Sequence, residues 1–301
     1  MKSKEKFVVV MEKEYIGYPL YKSKGCTIIE PYSMLNQNKL ERKIKGFLCK
    51  MCKNPLIGVN EKLIGASNVF LMYDSISPSI VKYIREKNPN ARIIVYYINP
   101  VQYSFNPNDY AISQVELWTF DDKDAERYGM KWNPLHYFAT EIRRSSPKEV
   151  DIAFVGADKG RYKLLIQLES LFRKHGLKTD FHITANTNTP FYDRKKYRRR
   201  LSYRENMEHI FRSKAILDIL QKNQYGYTMR IPEAMVNHIK LITNNRNINK
   251  YPFYCADNVF ILGIDDQRKL SQFINSPWNS AKDEVIKNLE YEFWISKFEI
   301  N

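Results

Sequence analysis

Short apolar runs alternate with polar turns and amphipathic stretches along the whole chain. In the first half, Phe7 to Met11, Thr27 to Glu30, Asn68 to Tyr73, Arg92 to Ile98 and Val115 to Phe120 have the length and β-former content of buried strands. Helical patterns lie between them. Lys39 to Cys52 is a basic amphipathic stretch. Ser77 sits where an N-cap belongs, with Pro78 at the first helical position, and the helix runs to about Lys87 before Asn88-Pro89-Asn90 stops it. Asp121 to Gly129 opens with acids that suit a helix dipole and closes on a glycine, which marks it as architectural. The polar stretch Arg143 to Glu149, containing Pro147, reads as a linker.

The pattern then restarts. Val150 to Val155 is a strand, Gly156 to Gly160 a glycine-flanked turn, and Arg161 to His175 a helix with Leu164, Leu165, Leu168, Leu171 and Phe172 on one side. Leu177 to Ile183 is the next strand, and Thr184 to Arg200 an irregular polar loop. Ser202 and Glu205 have the spacing of a capping box for a helix reaching about Arg212. Ala215 to Ile219, Ile239 to Thr243 and Asn258 to Ile261 are strands, and Asp265 to Ile274 and Ser280 to Phe298 are helices. Strand and helix alternating in this way predict α/β domains with parallel sheets, here two of them, over residues 1–146 and 147–301.

The segment Ser213 to Asn245 carries the densest chemistry. It is a strand, loop, helix and strand, and ligands of parallel sheets bind beyond the carboxyl ends of the strands. Its loop holds Gln224, Gly226, Thr228 and Arg230, with Glu233 in the first turn of the helix. The turn from Gly156 to Gly160, followed by a helix start, could also cradle phosphate through backbone N–H groups, with Lys159 and Arg161 as cations. Thr, Arg and Glu near a helix start also serve as caps and ion pairs, and a plain βα turn also has glycines.

The ordered string Q-x-G-x-T-x-R-x-x-E-A, preceded by ILDI and followed by KLIT-N-N, resembles the donor-binding segment of bacterial polysaccharide glycosyltransferases of the GT-B fold. TFD-x-x-DA-x-x-YG-x-x-x-x-P, from Thr119 to Pro134, resembles the end of their first domain. The resemblance implies two Rossmann-like domains facing across a cleft, an N-terminal domain on the acceptor side and a C-terminal donor domain, with the last helix crossing back to the first. It implies that Glu233 accepts hydrogen bonds from ribose, that Gly156, Lys159 and Arg161 face the donor diphosphate, and that Tyr203 lies close to the donor. Val236-Asn237-His238-Ile239 departs from the small, glycine-containing stretch relatives have there. The implied activity is metal-independent transfer from a nucleotide-sugar donor to a cell-surface glycan, glycolipid or other acceptor, without a cofactor. Asp74, at the carboxyl end of a strand, has the address of a catalytic base, and equally of a turn or cap residue. Glu233 and Arg230 are expected to be partly open to solvent.

Composition narrows this further. With 301 residues, 44% of them hydrophobic, the chain has ample material for two cores. No run approaches the ~20 apolar residues of a membrane span, and the short apolar run after the basic N-terminus is a first strand rather than a leader, so a cytoplasmic protein is expected. Four cysteines, Cys26, Cys49, Cys52 and Cys255, do not make a disulfide framework, and Cys49-Lys-Met-Cys52 has no second pair to complete a metal site. The formal charge of +15 is uneven, with seven cations among the eleven residues from Arg194 to Arg204. Lys195 to Arg200 are the expected contact with an anionic membrane face. Two other classes fit the charge and the fold: a nucleic-acid-binding protein using the basic surface, though no specific nucleic-acid module is present, and a non-catalytic assembly or glycan-binding relative.

Overall fold

In the computed structural model, which describes residues 7–13, 15, 17–33, 39–52, 54–138, 147–186, 189–221 and 224–298, the chain divides into two compact units, Met1–Pro134 with Ile295–Asn301, and Leu135–Trp294. Of the expected linker, residues 143–146 lie outside the described residues.

The first unit contains β1 (Val8–Val10), β2 (Thr27–Ile29), β3 (Val69–Tyr73), β4 (Arg92–Tyr97), β5 (Glu116–Thr119) and β6 (Lys131–Trp132), and the helices α1 (Tyr18–Ser23), α2 (Lys39–Met51), α3 (Pro78–Lys87) and α4 (Asp122–Tyr128). Its strands form one sheet in the order β2-β1-β3-β4-β5-β6, parallel at every pairing. Every residue of β1 and β3 is buried. That is why these strands read as unbroken apolar runs: helices cover both faces of a parallel sheet. Phe70, Met72, Ile93 and Val95 pack with Ile80, Val81 and Ile84 of α3 into the core of one face. Ser77 is the N-cap of α3 but its hydroxyl makes no capping bond, so Pro78 and the chain direction set this start. Asp121 caps α4 by accepting from the amides of Lys123 and Asp124, and Gly129 ends the helix in the left-handed region at φ 64°.

The second unit contains β7 (Val150–Ala157), β8 (Thr179–Thr184), β9 (Ser213–Asp218), β10 (Lys240–Thr243) and β11 (Val259–Ile261), with α5 (Tyr162–Lys174), α6 (Tyr203–Phe211), α7 (Arg230–Val236), α8 (Leu270–Asn275) and α9 (Asp283–Ile286); α10 (Tyr291–Ser296) follows. The sheet order is β11-β10-β9-β7-β8, again parallel throughout. Ile152, Phe154, Leu217 and Ile242 form its core with Leu165 and Phe172 of α5 and Leu270 and Ile274 of α8. The Ser202–Glu205 capping box is fully formed.

The sequence reading has no counterpart for α1 or β6, and two further elements differ from it. The loop after β8 contains a short 3-10 turn, Phe191–Lys196. The expected terminal helix is broken: Glu290 is extended, because the backbone of Tyr137 donates to Leu289 O at 2.7 Å and accepts from the Tyr291 amide at 2.9 Å. Those bonds take a carbonyl and an amide that a continuous helix would have used. Beyond the break the chain returns to the first unit, where Phe298 packs edge-on against Trp118 and Tyr96 and its carbonyl accepts from Arg92 at 2.5 Å.

Candidate functional site

In an open parallel sheet the two strands that lead off in opposite directions leave a crevice at their carboxyl ends, and ligands bind there. Each unit has one such reversal. In the second it falls between β7 and β9, because the chain passes from β7 to β8 on one side and then to β9 on the other. In the first it falls between β1 and β3.

The β7–β9 reversal gathers side chains from distant segments. Arg230 donates through Nη2 to the Val155 carbonyl at 2.8 Å, across 75 positions of sequence. Its guanidinium lies 4.6 Å from the centre of the Phe154 ring and its Nη1 stands 3.8 Å from Asp218 Oδ1. Gly156 makes room for it, since a Cβ at that position would overlap Nη2 of Arg230. Among the described residues, Nε of Arg230 is buried with no hydrogen-bond partner. Asp218, fully buried at the end of β9, accepts from Thr228 Oγ1 at 2.7 Å and from Thr243 Oγ1 at 2.9 Å. Thr228 Oγ1 in turn accepts from the Arg230 amide at 3.1 Å, so one hydroxyl ties the loop to both the strand and the start of α7.

Two further cations approach from the turn after β7. Lys159 takes φ 47°, a conformation costly for a residue with a side chain, and its amide donates to Asn186 Oδ1 at 2.8 Å. Lys159 is exposed, yet the protein around its ammonium and the charges of Arg161 and Arg230 lower it to about 8. Arg161 is buried, and burial and then Arg230 lower it to about 10. Its guanidinium is spent on the fold: it donates to the carbonyls of Asp158, Ala157 and Ile219, so it contributes charge rather than free donors. Asp158 starts α5 by accepting from the Tyr162 amide at 2.6 Å and holds the loop after β8 through Tyr197 Oη, also at 2.6 Å.

Glu233 departs from expectation. It is 3% exposed, and burial raises its carboxyl to about 7 against the opposing pull of Arg230 and Tyr203. The reason is local: all the residues Ile231–Val236 of the short helix α7 are buried, so the first turn lies inside the unit and not at its mouth. Tyr203 comes from α6 to face Glu233, and burial together with that carboxyl drives its hydroxyl well above the ordinary tyrosine range. Arg230 is half-buried, its side chain 14% exposed, and so partly open to solvent as expected. Gln224, likewise buried, serves its own loop, donating to the Gly226 carbonyl at 3.3 Å and accepting from Gln221 Nε2 at 3.3 Å.

At the β1–β3 reversal of the first unit stands Asp74, 2% exposed and one residue beyond β3. It accepts from Ser104 Oγ, from Asn99 Nδ2 at 3.4 Å and from the Ile98 amide at 3.4 Å, while burial raises its carboxyl above the usual range. Tyr15 and Tyr21 pack on Tyr73 beside it, their ring centres 5.1 and 6.2 Å away.

The sequence reading did not single out Asp218, Phe154 or Thr243. An acid closing an otherwise apolar strand, as in AILD, was the available signal for Asp218. Phe154 and Thr243 looked like ordinary strand residues, and only the pairing of β7, β9 and β10 gives them partners.

No family model matches the chain, and no curated protein does. Among solved structures, the chain is similar to the spinosyn forosaminyltransferase SpnP, with a TM-score of 0.44 and 9% identity over 97% of this chain and 90% of that one. It is also similar to a putative UDP-N-acetylglucosamine 2-epimerase from Listeria monocytogenes, at 0.43 and 7% over 99% and 98%. A third is MurG of Acinetobacter baumannii, at 0.39 and 9% over 94% and 99%. At such scores and identities the likeness says nothing of a donor, an acceptor or any one residue, and the chain is placed by its own architecture, two α/β units each built on a parallel sheet.

Proposed function

We propose that the protein is a glycosyltransferase that moves a sugar from a nucleotide-sugar donor to a glycan, a glycolipid or another acceptor of the cell surface. One observation carries this reading. Where the sheet order reverses between β7 and β9, Arg230, held on the Val155 carbonyl, stands between two cations that it repels, Lys159 and Arg161, and a buried carboxyl that it attracts, Glu233. A nucleoside diphosphate answers both features. Its phosphates would relieve the repulsion, and its ribose hydroxyls would donate to Glu233 once the side chains that bury that carboxyl move aside.

Lys159 and the Nε of Arg230 are the groups suited to direct phosphate contact, and Arg161 adds to the field from behind. Gly156 keeps Arg230 in place, Thr228 fixes the loop on Asp218, and Gln224 and Gly226 shape the rest of that loop. Tyr203 backs the carboxyl. As the sugar leaves, negative charge grows on the diphosphate, and fixed cations stabilise it without reorganising. In this reading they stand where other transferases use a metal. Asp74 serves as base: an acceptor hydroxyl taking the place of the Ser104 hydroxyl would meet the same carboxylate oxygen, and a raised pKa makes a better proton acceptor. The exposed run Lys195 to Arg200 is suited to an anionic membrane face or a lipid-linked acceptor.

Thermal-shift and calorimetric titration with a panel of nucleoside diphosphates and their nucleosides tests the reading. A site-specific diphosphate at a hundredfold excess over Kd should stabilise the protein by about 2.7 kcal/mol. Nucleotide sugars of the same base should then release nucleoside diphosphate in the presence of acceptor. If no diphosphate shifts the transition, or the bare nucleoside shifts it equally, the reading fails. Nucleic-acid binding that survives moderate salt would favour the other class.

A further inference from the structure

Helix α2 is amphipathic in an inverted sense. Leu40, Ile44, Phe47 and Met51 follow one another at steps of four, three and four, which places them in one stripe along the helix, and they are 67, 41, 65 and 62% exposed. The opposite side faces the unit: Glu41, Lys45, Leu48 and Cys49 are half-buried, and the Lys45 ammonium lies 3.2 Å from the centre of the Tyr32 ring. A helix on a globular unit ordinarily does the reverse, turning its apolar stripe inward and its charges to water. Large apolar side chains grouped on a surface mark a place that something covers.

The chemistry of the helix selects the cover. Its sequence has five cations, Lys39, Arg42, Lys43, Lys45 and Lys50, against one acid, Glu41, and Lys43 is exposed next to the stripe. A second copy packed face to face would oppose cation to cation. An anionic lipid surface satisfies the apolar and the basic parts together. At 1.5 Å per residue the helix extends about 20 Å, short of the ~30 Å hydrocarbon core, so it can lie in the interface but not cross it.

We propose that α2 is an interfacial helix, set in the plane of an anionic bilayer surface with Leu40, Ile44, Phe47 and Met51 at the acyl boundary and Lys43 at the lipid phosphates. This concerns lipid alone and stands or falls apart from sugar transfer.

Sedimentation of the full chain with vesicles tests it, using phosphatidylcholine alone and phosphatidylcholine mixed with phosphatidylglycerol. The chain should bind the mixed vesicles and leave the neutral ones. Leu40→Ser with Phe47→Ser should lower the partition coefficient about tenfold or more, given what burying a large apolar side chain contributes, and Phe47→Leu should keep it. Because these side chains are exposed, circular dichroism and melting temperature should not change, which separates lost binding from lost folding. Neutralising Lys195, Lys196, Arg198, Arg199 and Arg200 should leave the stripe-dependent part of binding in place. The proposal is overturned if the serine variant binds like the wild type. Equal binding to neutral vesicles overturns it, as does a dimer that the serine variant abolishes while no vesicle is bound.

Discussion

Replacing Glu233 with Gln isolates the carboxyl at the centre of the proposed donor site while keeping its shape. Burial raises the native carboxyl from 4.5 to about 7. A carboxyl raised in this way contributes stability that is fully present below 4.5 and is lost as the pH rises through 7, because the folded chain then holds a charge that the unfolded chain keeps in water. Each pH unit in that window costs up to about 1.4 kcal/mol, so near pH 8 the ionised carboxyl costs at most about 3 kcal/mol. Gln carries no charge. Glu233→Gln should therefore match the wild type near pH 5 and exceed it near pH 8, by about 1 to 3 kcal/mol in urea unfolding. Ligand binding should move oppositely. A ribose hydroxyl donating to the carboxylate favours the ionised form, so wild-type affinity for a diphosphate should improve through pH 7 relative to the variant, whose own profile keeps the titrations of the phosphate and of Lys159. An equal loss of stability at both pH values, with no change in the pH dependence of binding, would refute the reasoning and make Glu233 a structural hydrogen-bonding group.

Gly156→Ala should evict the Arg230 guanidinium and strain the backbone at φ 159°, so it should lower the melting temperature and weaken diphosphate binding about tenfold or more while sparing the bare nucleoside; a thermal melt and calorimetry with both ligands check it. Asp74→Asn should lower turnover by about a hundredfold or more and leave donor affinity unchanged, measured as nucleotide release beside a binding titration. His136 is buried in stacking contact with Trp294, and burial lowers it to about 3, so its contribution is fully present above 6.5 and is lost as pH falls toward 3. Relative to His136→Gln, the wild type should lose up to about 1.4 kcal/mol per pH unit on acidification below 6.5, as followed by urea unfolding.

The strands were legible because they are buried on both faces: Asn68 to Tyr73 and Arg92 to Ile98 were each placed within one residue of β3 and β4. A stop was legible where glycine chemistry demands it, as at Gly129, at positive φ. What sequence could not carry was lateral order. Nothing in β7 or β9 alone says that they are neighbours, yet that pairing makes the crevice and brings Arg230 to Val155. The same limit hid the burial of Glu233, which looks like first-turn acid until α7 is seen enclosed, and the break at Glu290, imposed by Tyr137 from far earlier in the chain. The apolar stripe of α2 was visible as periodicity, but its direction was not. Periodicity tells which residues share a side and not which side faces water.

The return of Phe298 to Trp118 and Tyr96 sets an order of synthesis against an order of completion. Trp118 is made about 180 residues before the ring that covers it, which at 5–20 residues per second is a wait of roughly ten to forty seconds. During that wait Arg92 has its Glu116 partner but not the Phe298 carbonyl, and an aromatic patch of the first unit stands open to water. The unit that emerges first from the ribosome is thus finished last. A nascent chain stalled between the two units would present the patch to chaperones, and loss of a handful of residues near Phe298 would leave it open for the life of the protein.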